Sequence, residues 1–71
     1  MKNELIMKLI NESEELTEKI VKLEKFISKQ SDEFMVSKTG DLLVRQKIAM
    51  WQYKNILMER IKNELEIEVI E

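Results

Sequence analysis

Five side chains in the stretch RQKIAMWQYKNILMER, residues 45–60, carry the groups that a small anionic ligand needs. Arg60 and Lys54 could hold phosphate oxygens, the guanidinium as a bidentate fork and the ammonium as a point charge. Trp51 and Tyr53 offer aromatic faces for a nucleobase, and the Gln46 amide has both donors and an acceptor for a base edge. Wound at about 100° per residue, Gln46, Tyr53 and Arg60 run down the middle of an apolar face, whereas Trp51 falls on the opposite side. One copy of the helix therefore cannot converge all five on one ligand, and a site shared between protomers is required. The alternative is a structural network. In it Tyr53 and Gln46 bond across a helical hairpin to Ser13 or to a glutamate of the first helix, and Arg60 pairs with an acid and fixes register.

Catalysis has little to work with. The chain has no His and no Cys, which removes the commonest general base, the thiolate nucleophile and the usual metal ligands. Glu14 and Glu18 have the spacing of solvated i,i+4 neighbours, and a carboxylate-bridged diiron site needs Glu-x-x-His. There is no Gly-rich phosphate loop. The reading is a binding protein and not an enzyme, with no catalytic residue, no metal site and no cofactor.

The positioning elements follow from composition. Zero Pro, one Gly and 37% charged residues are the mark of long helices, so the fold class is all-α. Seventy-one residues make a single domain whose core rarely supplies more than about 3–5 kcal/mol of net stability. With no disulfide or metal to help, oligomerisation is the remaining support. Ile6, Leu9, Ser13, Leu16, Ile20, Leu23 and Ile27 form a heptad seam, which predicts helix one over about 3–29. The capping-box spacing of Asn11 and Glu14 could restart a helix there, but the seam keeps phase across it. Residues 30–40, QSDEFMVSKTG, read as a loop with one helical turn. Gly40 supplies the turn, and Thr39 or Asp41 the N-cap, of helix two over about 41–63. The two helices form an antiparallel hairpin. In the tail, 64–71, Glu64, Glu66 and Glu68 alternate with Leu65, Ile67 and Val69. That period of two favours a short strand against a partner, or fraying, over continued helix, which is the plain alternative.

Helix two is apolar on two sides. Leu42, Ala49 and Ile56 on one flank and Leu43, Met50 and Leu57 on the other bracket the polar line, and these are expected to face helix one. Val44, Trp51, Met58 and Leu65 lie opposite. A hairpin covers only one side, so the Val44–Trp51–Met58 stripe is expected to be a homo-oligomer interface, dimer or higher, rather than a lipid-binding surface. Charge is uneven. Residues 41–62 carry five Lys or Arg against two acids, residues 1–31 are balanced, and the tail has four Glu and no base. This suits a small anionic ligand better than duplex nucleic acid, which calls for a strongly basic balance. No apolar run approaches the roughly 20 residues that cross a bilayer, and MKNELIMKLI is too short and acidic for a signal peptide. A soluble, cytoplasmic protein is expected.

The run LTEKIVKLEKFI, followed by LLVRQKIAMWQYKNILMERI, resembles a family of very small proteins from crAss-like and other tailed phages. There a K-I-x-K-L-x-x-F-I helix precedes an L-L-x-x-Q-x-x-A-M-x-x-Y-x-x-I-L-x-x-R-I helix. The match spans Leu16–Ile27 and Leu42–Ile61 and includes Gln46, Tyr53 and Arg60; the loop QSDEFMVSKTGD departs from the family's more helical, acidic connection. Proteins of this kind resemble the oligomeric sponges with which phages capture cyclic di- or trinucleotides and silence the CBASS class of anti-phage signalling. The resemblance implies such a sponge, acting in the host-cell cytoplasm. The competing expectation is a helical interaction module that inhibits a host protein.

Overall fold

The computed structural model describes the backbone of residues 2–70 and the side chains of residues 3–66. Three helices follow in order: α1 Lys2–Ser28, α2 Asp32–Met35 and α3 Lys38–Ile70. Among the described residues α1 and α3 pack as an antiparallel hairpin, with α2 closing the corner. The heptad seam of α1 is its buried stripe. Ile6, Leu9, Ser13, Leu16 and Ile20 are all less than a tenth exposed, because a 3.5-residue repeat keeps one side of a helix on its partner. The helix runs unbroken past Asn11, as the seam's constant phase requires. Glu4 in its first turn and Lys25 in its last both favour the helix dipole.

The corner is set by two serine caps. Ser31 accepts the Phe34 N–H at 3.2 Å and starts α2; Ser37 accepts the Gly40 N–H at 3.2 Å and starts α3. The predicted loop thus contains its helical turn, but α3 begins earlier than expected. Gly40 lies inside its first turn, and Ser37, not Thr39 or Asp41, is the capping side chain. Glycine is required by proximity rather than by backbone angle, since no glycine has a positive φ. A Cβ at Gly40 would lie 2.3 Å from the Phe34 carbonyl oxygen and 2.7 Å from the Met35 Cα. The Phe26 and Phe34 rings meet edge to face, 6.3 Å between centroids, and tie α2 to the end of α1.

Two expectations are corrected. The tail does not leave the helix, because α3 continues to Ile70. Each added residue gains one backbone hydrogen bond, and Glu and Leu are good helix formers. The opposition of glutamates to the dipole, about 0.3–1 kcal/mol each at a surface, is too weak to stop that propagation. The expected assembly role of Ile67 and Val69 concerns side chains outside the described residues. Second, α3 does not centre its polar line on α1. It turns so that Leu57 and Ile61, 0% and 9% exposed, meet Leu9, Leu16 and Ile20, with Met50 packed beside them. Leu42 and Ile56, expected to face α1, are half exposed. Centring Gln46, Tyr53 and Arg60 would have buried an amide, a phenol and a guanidinium. Rotation keeps them at the rim and spares that desolvation.

The result is a rod of 55 × 15 × 13 Å with a radius of gyration of 16.2 Å, against about 11 Å for a compact chain of this length. Its surface is 5653 Å², roughly 1,000 Å² above that of a compact monomer of the same mass. Among the described residues no helix is long and apolar enough to cross a membrane.

Candidate functional site

Two long faces flank the α1–α3 seam, and each presents one aromatic side chain of α3. On the phenol face, the Tyr53 hydroxyl of α3 donates a hydrogen bond to Glu12 Oε2 of α1. The Tyr53 pKa is raised above 10.0; the Glu12 hydrogen bond is the main cause, partial desolvation and the Glu12 charge add to it, and the Arg60 charge opposes it. The phenol therefore sits between a carboxylate and a guanidinium. Gln46, one heptad before Tyr53, is exposed, with its amide nitrogen 4.0 Å from Met50 Sδ. Arg45 Nε pairs with Asp41 Oδ2 at 3.1 Å within the helix. On α1, Leu5, Glu12, Lys19 and Phe26 recur every seven residues on this side, with Lys8 one turn before Glu12. All five are exposed. The face thus mixes bases, Lys8 and Lys19 of α1 and Arg60 of α3, with the acids Glu12 and Glu15 of α1, and Tyr53 lies at its middle.

The indole face lies across the seam. The Lys54 ammonium stands 4.8 Å from the centre of the Trp51 ring, a cation–π contact at i,i+3 spacing. The Lys54 stem is half-buried against the seam while its charge reaches solvent. One turn on, the buried Ser13 hydroxyl lies 3.6 Å from Met58 Sδ, a weak acceptor. Thr17 in turn donates to the Ser13 carbonyl at 2.8 Å. Trp51 and Met58 are 39% and 52% exposed.

The five predicted site residues therefore divide. Gln46, Tyr53 and Arg60 share the phenol face; Trp51 and Lys54 share the indole face, and a single protomer does not unite the two groups. The structural network is present in part: Tyr53 does reach a helix-one glutamate, whereas Ser13 turns to the opposite side. Sequence reasoning left that glutamate unspecified and missed Lys8 and Lys19. Their signal was available in the seven-residue spacing of Glu12 and Lys19, one position off the seam. What this arrangement supports is recognition. A guanidinium and lysines can hold an anion, a phenol ring can stack, and an amide and a carboxylate can accept or donate at a polar edge. Among the described residues no group of His, Cys, Asp or Glu is placed to hold a metal ion.

Comparison with curated proteins found no match, and comparison with solved structures found none. The model of one protein family, Sequestin, matches residues 3–63, which cover nearly all of α1, the corner, and α3 as far as Asn63, including Gln46, Trp51, Tyr53, Lys54 and Arg60. The chain belongs to the Sequestin family.

Proposed function

We propose that the protein is a non-catalytic sponge: a phage immune-evasion protein that binds and sequesters the cyclic oligonucleotide second messengers of bacterial anti-phage defence. The observation that carries this reading is the phenol face, with Tyr53 set between Glu12 and Arg60, in a family whose name denotes sequestration. Arg60 takes a phosphate, Tyr53 stacks on a base and Gln46 reads its edge. Lys8 and Lys19 raise the local anion concentration. The face is open on a single hairpin, so enclosure comes from a second protomer presenting the same face. A cyclic dinucleotide, with two phosphates related by symmetry, matches the two Arg60 side chains of such a pair. Trp51 and Lys54 belong to the other side and are not part of this site. The setting is the host-cell cytoplasm, where such signals act.

Calorimetric titration of cyclic di- and trinucleotides into wild type and Arg60→Ala tests the reading. Loss of charge-assisted phosphate bonds worth about 1.5–3 kcal/mol should weaken binding more than tenfold, with the melting temperature unchanged. If wild type binds no nucleotide in the panel, the sponge reading is wrong. The half-exposed Leu42 and Ile56 on the same face favour the second reading, an interaction module that inhibits a host protein. That reading predicts capture of a single host target, abolished by Ile56→Glu, with no nucleotide binding.

A further inference from the structure

The indole face has a charge pattern of its own. On α1 it is formed by two rows at seven-residue spacing, Met7–Glu14–Val21 and Ile10–Thr17–Glu24, with no base in either. On α3 it is formed by Val44–Trp51–Met58, with the half-buried Lys47 and Lys54 at its inner edge where their row leaves the seam above the buried Ile61; there is no acid among these. The α1 side is therefore acidic and the α3 side basic, with exposed Met7 and Val21 flanking Glu14 on α1 and exposed Trp51 and Met58 on α3. The cross-helix contacts of Glu12 with Tyr53 and of Ser13 with Met58 fix the register. They put Glu14 level with Lys54, and Glu24 level with the turn from Val44 to Lys47.

We propose that the occupant of this face is a second copy of the chain, related by a two-fold axis parallel to the rod, so that α1 of each protomer lies over α3 of the other in a four-helix bundle. A two-fold along the rod preserves height. Each acid therefore meets a partner-chain base at its own level: Glu14 meets Lys54 and Glu24 meets Lys47, twice over. Stacking α1 on α1 would instead oppose like charges. Where α1 and α3 lie side by side, over about 40 Å of the rod's length, its 15 Å width gives a face of about 600 Å², the lower end of a standard stable interface per partner. The Trp51–Lys54 contact holds the ammonium over the ring at the rim, where the partner's Glu14 arrives. The pairing requires no ligand and stands apart from the sponge reading, which concerns the opposite face.

The test is a charge exchange read by sedimentation equilibrium, with circular dichroism confirming helicity. Wild type should be dimeric at micromolar concentration. Glu14→Lys with Glu24→Lys should weaken the dimer by about tenfold or more, as should Lys47→Glu with Lys54→Glu, because each sets like charges level. The fourfold exchange should restore dimerisation, which a variant with a merely damaged fold could not do. A monomeric wild type, a dimer indifferent to either double reversal, or a fourfold exchange that fails to recover would each overturn the proposal.

Discussion

The phenol and indole faces are built by the same two helices about the same seam, yet they distribute charge in different ways. The indole face segregates it, acids on α1 and bases on α3, which makes it complementary to a rotated copy of itself. On the phenol face the two signs are mixed, Lys8 and Lys19 with Glu12 and Glu15 on α1, facing Arg60 on α3. The net charge of −2 conceals this, because the acidic end of α3 cancels the bases of its middle. Sign pattern along a face, rather than total charge, is what separates the two surfaces.

The comparison collapses if the seam is broken, since both faces depend on it. Leu57 is fully buried against Leu9, Leu16 and Ile20. Leu57→Ala should cost about 2–5 kcal/mol, comparable with the whole net stability of a chain this small. Thermal melting should show a largely unfolded monomer, with dimerisation and ligand binding lost together. Gly40→Ala should be milder and local. Its Cβ meets backbone, the Phe34 carbonyl, which cannot swing aside as a flexible side chain could. We expect a cost of about 1–3 kcal/mol, visible as a lower melting temperature, with the two faces still functional in the folded fraction.

Much of this architecture was legible in the sequence, and the failures have a common cause. On α1 a single apolar seam left no choice of phase, and Ile6, Leu9, Ser13, Leu16 and Ile20 are buried as read. On α3 apolar residues occur on every side, so local pattern could not say which of them faces α1. The partner helix decided, choosing Leu57 and Ile61 and turning Leu42 and Ile56 outward. Gly40 was read through its conformational freedom, whereas what matters is the close approach of α2, a tertiary fact. The alternation of Glu with Leu, Ile and Val after Asn63 was a true pattern of residue types, overruled by helix propagation. Of the candidate site, the residue types on α3 were visible, but their division between two faces and the identity of Glu12 depended on register.

The smallest expected effect isolates the phenol face alone. Tyr53 is the single tyrosine, so tyrosinate absorbance in an alkaline titration reports on it without ambiguity. Its hydrogen bond to Glu12, helped by the nearby carboxylate charge, holds the proton on the phenol and raises its pKa above 10.0. Glu12→Gln removes that charge and replaces a carboxylate acceptor by a weaker amide, so the midpoint should fall back toward 10.0. Arg60→Ala should move it the other way, because the guanidinium favours the phenolate. The sign for stability follows from linkage. With a folded pKa above the unfolded value, the contribution of Tyr53 is present in full below pH 10.0 and fades as pH rises through the folded midpoint. Wild type and Glu12→Gln should therefore differ in melting temperature near neutral pH by a small amount, and that difference should shrink in strong alkali. Since Glu12 lies across the seam from the indole rows, dimerisation should be unchanged in the same variant. A shift in dimer affinity comparable with that of the Glu14 and Glu24 reversals would show that the two faces are not independent.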